Sequence, residues 1–412
     1  MDGGSVLVSA VRAGDADLVR VLLHEDSDPG HLDAAFRLAV RMRAGHVAQL
    51  LLQYGADPGP SGVRDLLSLE EAADSGSPAL VEALLDDRVR GRSRVAELLE
   101  ARELTRRWHG AGVEAELRRR TGSREPVVRT PVRDDEYHGA DEFALGGTTV
   151  RDGHGAILTR IEELLGFRAS FGELRDRALA HAGRQDHTTW SSATILLAGR
   201  RDRETWDDAV ALRTDPDQYR RLFGAEVLRL THLFDESDED PFAGPALDVF
   251  AGWSAGETDS AVLAEVLIGL GEHAGPRAEA ALVPHAGHPE APVRCAVARG
   301  LHAWSSPPAF SGGARTALLR LMADPDATVR SAACHTVAFG GGADPGLLDA
   351  MAVLLDDADR LVGVTAVSGL ALHDDERCVA AARLLGPPQR GSLEEERCLD
   401  EVRRYEYRRD RP

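Results

Sequence analysis

The chain has 412 residues, of which 43 % are apolar and only 5 % aromatic, and its formal net charge is −20 at pH 7. This length allows two or three domains, and a core built from Ala, Leu and Val suits closely packed short helices better than a large-pocket enzyme. No stretch approaches the ~20 apolar residues that a membrane-spanning helix needs, and residues 1–5 lack the basic and apolar regions of a secretion signal. We therefore expect a cytoplasmic protein without a membrane segment.

The cysteines favour neither a disulfide framework nor a zinc site. Cys295, Cys334, Cys378 and Cys398 show no paired CxxC spacing. Cys295 and Cys334 fall inside apolar helical runs, where cysteine acts as a small hydrophobe. We expect reduced thiols, no structural metal and no cofactor. The chain also contains no Lys and no Asn, which codon bias in a G+C-rich bacterial genome explains.

Charge is unevenly distributed along the chain. Residues 88–133 hold thirteen arginines against six glutamates, a net of +7, whereas residues 204–260 hold fourteen acids against four arginines, a net of −10. Complementary fields steer partners together, so both segments supply partner-binding candidates. The basic candidates are Arg106, Arg107, Arg118, Arg119 and Arg120, and the acidic candidates are Asp235, Glu236, Asp238, Glu239 and Asp240.

Each charged cluster has simpler interpretations as well. Three interpretations of the arginines are open: they pair with surplus acids of this same chain, they form a site for an acidic or phosphorylated ligand, or they are solvated surface charges. The acidic run is a solvated loop between repeats or attracts a basic partner. It lacks the Asp-x-Asp-x-Asp-Gly spacing of a calcium loop.

Three windows near the N-terminus follow one template. They cover residues 10–23, 39–52 and 72–85, at offsets of 29 and 33 residues. A period near 30 indicates stacked helical hairpins, none of which buries its apolar face alone. Gly14 and Gly76 fall at the turn between the two helices, and Arg43 stands at the equivalent point of the middle window.

These windows resemble ankyrin repeats. They share small residues in the first helix, the turn, and a second-helix core of the Leu-Val-x-x-Leu-Leu type, and residues 55–58 match the closing turn, although the Thr-Pro-Leu-His opening is absent. The resemblance covers residues 5 to about 90 and implies a module for recognition. A fourth helical pair, at about 94–107 and 113–120, is expected to cap it, which gives a first domain at residues 1–120.

Residues 121–155 have no helical period. Pro126, Pro131 and four glycines between 139 and 153 predict a linker or long loop. Residues 148–150 have strand character, but nothing nearby is expected to pair with them.

Five windows in the second half share a turn followed by a helix. They begin at residues 215, 256, 288, 324 and 357, and Arg221, Arg294 and Arg330 each follow the start of their window by six residues. Asp before Pro, as at Asp324, is a good helix start, because the carboxylate caps free N–H groups and Pro fits the first turn.

Residues 324–333 look like a HEAT repeat in its short bacterial form. This resemblance implies an Asp–Arg ladder along the stack, interrupted where Gly256 and Gly363 depart from the pattern. It predicts a HEAT-like domain at residues 156–412, with a closing cap at about 375–405. The expected fold is all-α, with an ankyrin-like and a HEAT-like solenoid joined by an irregular linker.

Histidines recur near the ends of the second helices in the HEAT-like half. If these helices line a groove, as in HEAT arrays, some histidines form a column that binds a ligand or transfers protons. The alternative is that they lie near exposed carbonyls at helix C-termini. The candidates for a catalytic or small-molecule site are His232, His273, His302, His335, Trp304, Trp206 and Asp207, and His373 has a similar position.

Other chemistry finds little support. His181, His187 and Asp186, with Trp190 nearby, offer two or three ligands in a glycine-containing turn, whereas a metal needs three or four convergent ones. The Gly-x-Ser-x-Gly spacing occurs at residues 252–256, but without the preceding strand that a nucleophile elbow requires, and no P-loop occurs. A DNA glycosylase of the HEAT-like class is disfavoured, because phosphate neutralisation dominates DNA affinity and this half is acidic.

The sequence thus favours an interaction protein, acting as a scaffold, adaptor or neutralising partner, which binds a protein of basic character through a concave acidic surface. The alternative is an enzyme or small-molecule-binding protein with a His/Trp/Asp-lined site in the HEAT groove.

Overall fold

The computed structural model of the chain describes residues 3–25, 28–59, 67–90, 95–234, 240–302, 309–340, 344–389 and 392–409. Helices predominate in these residues, which confirms the all-α prediction. The chain divides into two compact units, Met1–Leu197 and Ala198–Pro412, and the predicted boundary at residue 155 falls inside the first. In the described residues, no helix is both long and apolar enough to cross a membrane.

The first unit is a stack of helical hairpins. Its helices are α1 (Gly3–Ala13), α2 (Ala16–Glu25), α3 (Pro29–Arg41), α4 (Gly45–Gln53), α5 (Leu69–Asp74), α6 (Pro78–Leu85), α7 (Asp87–Arg90), α8 (Val95–Ala111), α9 (Val113–Thr121), α10 (His154–Leu164), α11 (Phe171–Leu179) and α12 (Thr188–Arg200). Helix α1 packs on α3, and α2 packs on α4, which packs on α6. The hairpins predicted from the three windows are therefore present, and the ankyrin resemblance itself stays a prediction.

The prediction of a fourth helical pair, at about 94–107 and 113–120, is wrong about the second helix of the pair. Helix α8 packs on α5 and on α10, so the helix that completes this hairpin is α10. Helix α9, which follows Gly112 at φ 80°, contacts α8 less and lies against the strands described next. Residues 113–153 are thus an insertion between the two helices of the fourth hairpin.

Within this insertion, the predicted linker forms a three-stranded antiparallel sheet in the order β1 (Val128–Arg133), β2 (Gly139–Leu145) and β3 (Thr148–Arg151). The expectation that residues 148–150 lack a partner strand is wrong, since Val150 pairs with Phe143. Gly146 and Gly147 both have positive φ, 57° and 79°, as a two-residue hairpin turn of type I′ requires.

The sheet is anchored on the hairpin stack by a buried carboxylate. Asp134, which is 0 % exposed, accepts hydrogen bonds from the Ser77 hydroxyl (2.7 Å) and from the backbone N–H of Ala79 (2.9 Å), at the N-terminus of α6. It also pairs with Arg151 at 2.8 Å. Farther along the β1–β2 turn, Glu136 pairs with Arg20 of α2 at 3.2 Å. The insertion therefore folds back over the earlier hairpins.

The second unit is also a stack of hairpins. Its helices are α13 (Arg203–Ala211), α14 (Gln218–Leu233), α15 (Ala243–Ser254), α16 (Ser260–Gly271), α17 (Pro276–Leu282), α18 (Ala291–Gly300), α19 (Gly312–Met322), α20 (Ala327–Phe339), α21 (Pro345–Val353), α22 (Arg360–Leu372), α23 (Arg377–Leu385) and α24 (Leu393–Arg409). The second helices of successive hairpins, α14, α16, α18, α20, α22 and α24, pack on one another in chain order.

The second helices begin slightly later than predicted. The capping carboxylate is the Asp two residues after the expected one: Asp326 accepts from the backbone N–H of Thr328 (2.8 Å), and its own N–H donates to Asp324 (2.9 Å). Asp217 and Asp359 repeat this arrangement. In these three windows, the first Asp is thus left free to bind an arginine.

The predicted Asp–Arg ladder is present. Arg294 pairs with Asp324 (2.6 Å) and Arg330 with Asp357 (2.7 Å). At Gly256, where the sequence departs from the repeat pattern, the neighbouring Glu257 binds Arg221 at 3.0 Å. These rungs connect successive hairpins at the edge where the second helices begin.

Candidate functional site

The row of second helices in the second unit presents a continuous surface. Neighbouring helices are linked across it by polar contacts: Arg229 of α14 pairs with Glu265 of α16 at 2.6 Å, and the hydroxyls of Ser331 and Thr365 lie 3.3 Å apart between α20 and α22. Because each helix contacts the next, side chains from several hairpins share one face.

Three side chains in the middle of this row stand out. Phe339, at the end of α20, is 65 % exposed, and its ring centroid lies 4.6 Å from that of His335 one turn earlier. Burial, and then the charge of Arg299 on α18, lowers the pKa of His335, so this imidazole is neutral at pH 7. Arg299 is exposed and has no ion-pair partner among the described residues. We call Arg299, His335 and Phe339 the second-helix surface.

Two of the other predicted histidines bind carbonyls of the preceding hairpin. The Nε2 of His302 lies 2.6 Å from the carbonyl oxygen of Gly271, the last residue of α16. The Nε2 of His373 lies 3.1 Å from the carbonyl oxygen of Val337 in α20. Each imidazole donates to a carbonyl that the helix leaves unpaired, which agrees with the helix-terminus interpretation.

His232 and His273 form a separate pair. Their rings stack with centroids 4.3 Å apart, and Nδ1 of His232 lies 2.5 Å from a carboxylate oxygen of Asp240. Burial, and then the neighbouring His232, lowers the pKa of His273 to about 4. The histidines therefore fall into several local groups. Trp304, the remaining member of the expected column, lies outside the described residues.

Trp206 and Asp207 have structural positions. Trp206 is 3 % exposed and packs against Phe242 with ring centroids 4.8 Å apart, so it belongs to the core. Asp207 is exposed and pairs with Arg203 one turn earlier, at 3.0 Å. Although the two residues are adjacent in sequence, Trp206 lies in the core and Asp207 lies at the surface, so they do not form a joint site.

Several carboxylates lie at the edge of the stack where the second helices begin. There they either bind ladder arginines or cap helix N-termini, as Asp259 does for α16. Of the predicted acidic run, Asp240 binds Arg201 (3.2 Å) as well as His232. The other candidates of the run, Asp235, Glu236, Asp238 and Glu239, lie outside the described residues.

The predicted basic cluster is largely engaged with acids of its own unit. The partners are Glu114 for Arg118 (2.9 Å), Glu116 for Arg119 (2.6 Å), Asp74 for Arg120 (2.7 Å) and, more loosely, Glu103 for Arg106 (3.9 Å). The bonds from Arg119 and Arg120 hold the pKa of Glu116 at about 2 despite its burial. Arg107 is exposed, with no ion-pair partner in the described residues.

The sequence indicated only part of one polar cluster, namely His181 and His187 but not Asp152. Asp152, at the end of β3, brings its carboxylate to His187, 2.9 Å away, and to His181, 3.7 Å away. Burial favours a raised pKa for Asp152, but the hydrogen bond from His187 holds it below its ordinary value. Asp186, the acid that the sequence suggested here, instead lies 3.3 Å from Arg184, and Trp190 is a buried core residue.

These three side chains place their ligand atoms within 4.8 Å of one another, but the geometry does not fit a metal. Nδ1 of His187 accepts the backbone N–H of Thr189 (3.1 Å), so Nε2 carries the proton and donates to Asp152, whereas a metal-bound imidazole donates through its other nitrogen. The rings of His181 and His187 also stack, with centroids 3.5 Å apart and planes 10° apart. Parallel stacked rings do not direct in-plane lone pairs at one ion, so the cluster is a hydrogen-bonded core between β3 and residues 181–187.

Comparison with known proteins gives broad similarity only. No family model and no curated protein matches the chain. Similar solved structures are those of YibA from Escherichia coli (15 % identity, TM-score 0.40, covering 57 % of this chain and 98 % of that one), human deoxyhypusine hydroxylase in complex with glycerol (15 %, 0.26, 60 % and 90 %) and an engineered protein (15 %, 0.38, 98 % and 99 %). Functional proposals for this chain rest on the contacts of its own residues.

Proposed function

We propose that the chain is a cytoplasmic interaction protein that binds a protein partner through the second-helix surface. The observation that carries this proposal is the exposure of Phe339 beside His335 and an arginine without an ion-pair partner in the described residues. Exposing so much of an aromatic ring to water is unfavourable, and aromatic and arginine side chains dominate the binding energy of protein interfaces. A neutral imidazole between them adds area that is inexpensive to desolvate.

Charge supports a basic partner. The protein carries a net charge of −20, which gives it a negative electrostatic field. Such a field speeds the encounter with a positively charged protein and weakens with salt. Arg299 then contributes a directed contact to an acid or a carbonyl of that partner.

The test compares capture of partners from the native host by matched variants. The control variant Val353→Ala removes a 76 %-exposed apolar side chain from α21, which is the first helix of its hairpin. This variant and the wild-type protein are expected to retain the same partner at low ionic strength. Phe339→Ala and Arg299→Ala are expected to lose it, since truncating an interface hot spot costs about 2 kcal/mol or more. Equal capture by all four proteins, or no partner at low salt, would overturn the proposal.

A further inference from the structure

A cleft opens between the first two hairpins of the second unit. Its volume is about 680 Å³, and its walls come from the segment 213–215, from Arg221 of α14, from α15 at residues 248–253, and from the turn at 256–258. Small-molecule sites commonly measure ~300–1,000 Å³, so the cleft has the size of a ligand site. The cleft lies between the hairpins of the windows that begin at 215 and 256, which have the longest spacing of the five windows. None of its lining residues belongs to the second-helix surface.

The carboxylates that line the cleft already have cations. Glu257 is bound by Arg221 (3.0 Å) and Asp215 by Arg220 (3.5 Å), while Asp248 pairs with Arg277. Arg213 is exposed and has no ion-pair partner among the described residues. Lining residues and their partners thus comprise four arginines and three carboxylates, an excess of +1 in a strongly acidic protein.

One wall of the cleft is a fixed indole. Nε1 of Trp253 donates to Glu257 at 2.9 Å, and Glu257 is itself held by Arg221, so the orientation of the ring is determined by two polar contacts. Trp253 is 7 % exposed and contributes to the cleft wall. Because only a small part of the ring is exposed, an apolar group in the cleft gains mainly buried area and only a limited contact with the indole.

Two glycines keep this space open. A Cβ built on Gly252 or Gly256 would meet no heavy atom within 4 Å, and neither residue has a positive φ. Packing and backbone conformation therefore do not require glycine at either position. Because both residues line the cleft, a larger side chain there would occupy the space that a ligand needs.

We propose that this cleft binds a small organic anion, with its flat apolar part in the space beside Gly252 and Gly256 and its carboxylate on Arg213. The planar fork of an arginine matches a carboxylate with two parallel hydrogen bonds. This site is separate from the proposed protein-binding surface, and its occupation does not depend on that function.

The probe is indole-3-acetate, and indole-3-acetamide is the neutral control with the same ring. Binding is followed in the full chain by the NMR signal of the Trp253 indole N–H, assigned with Trp253→Phe. We expect a saturable shift with the acid and at least about tenfold weaker binding of the amide, because a charged hydrogen bond contributes that factor or more.

Three variants locate the site. Arg213→Ala is expected to weaken the acid about tenfold, and Gly252→Leu is expected to abolish the shift by filling the cleft. Gly244→Leu, on the same helix α15 and with equally open surroundings, does not line the cleft and should bind like wild type. Equal binding of acid and amide, no shift with either, or unchanged binding by Gly252→Leu would overturn the proposal.

Discussion

At the turn between the helices of each N-terminal hairpin, one residue adopts the left-handed conformation. Its φ is 69° at Gly14, 57° at Arg43 and 69° at Gly76. The sequence predicted this equivalence, because the windows align these three positions. It did not predict that Gly76 also lies beneath β3, since that contact depends on Arg151, which is 75 residues later in the chain. A Cβ placed on Gly76 would lie 1.9 Å from the carbonyl oxygen of Arg151.

Gly14 and Gly76 therefore form a matched pair for substitution. Gly14→Ala meets no atom within 4 Å, so it should cost only the left-handed strain of about 1–2 kcal/mol. Gly76→Ala should cost clearly more, because the sheet must shift as well. Urea unfolding followed by circular dichroism measures both. Equal losses would mean that β3 does not press on this turn.

Buried histidines make stability depend on pH. Burial lowers the pKa of His154 to about 3, and burial together with His187 lowers the pKa of His181 to about 4, against an ordinary value near 6.5. Between pH 4 and 6.5 the unfolded chain thus binds more protons than the folded one, so stability rises with pH in this window and is lost as the pH falls. The melting temperature should be lower at pH 5.0 than at pH 7.5, and less so for His154→Phe. A melting temperature that is unchanged between these pH values would contradict this assignment.

Among the helices and strands, the sequence predicted those features that depend on contacts between residues close together in the chain. Apolar spacing predicted the hairpins, and the resemblance to HEAT repeats implied the ladder of recurrent arginines. The sheet was missed although a signal existed: Gly146-Gly147 separates two runs of strand-forming residues, which is a hairpin signature. The partner of α8 was missed because 42 residues separate α8 from α10, and no periodicity reports a contact at that distance. In the site, single candidates such as His302 were visible, whereas their contacts with the preceding hairpin were not.

The ladder should contribute measurable stability. Arg330 binds Asp357 and also donates to the carbonyls of Asp324 and Pro325. Arg330→Ala removes these bonds and leaves a half-buried carboxylate unpaired, at an expected cost of about 2–3 kcal/mol. Arg299→Ala, on the preceding second helix, should cost less than about 0.5 kcal/mol. Urea denaturation distinguishes the two, and a similar loss for both would show that the rung adds nothing.

The buried carboxylate of the insertion offers a second test at this scale. Asp134→Ala removes the bonds to Ser77, Ala79 and Arg151, so it should destabilise the first unit by about 3 kcal/mol or more. Its neighbour Asp135 is half-buried in the same turn, and Asp135→Ala should cost less. Hydrogen exchange of residues 128–151 would report release of the sheet. Unchanged protection in Asp134→Ala would exclude an anchoring role.

At the scale of the whole molecule, the units differ from the predicted domains in one testable way. A cut at residue 155 separates α10 from α8, on which it packs, whereas a cut at residue 200 leaves both in one fragment. Because solenoid stability comes from contacts between neighbouring repeats, the fragment 1–200 should fold and the fragment 1–155 should be strongly destabilised. Circular dichroism melting of the two fragments decides this. An equally cooperative transition in the fragment 1–155 would favour the boundary expected from sequence.

The proposed interaction is tested most directly by hydrogen exchange of the complex with a partner captured from the host. We expect increased protection in peptides that cover the C-terminal halves of α18 and α20, where Arg299, His335 and Phe339 lie, and no such change in Phe339→Ala under the same conditions. Protection confined to other segments, with α18 and α20 unchanged on binding, would contradict a binding role for the second-helix surface.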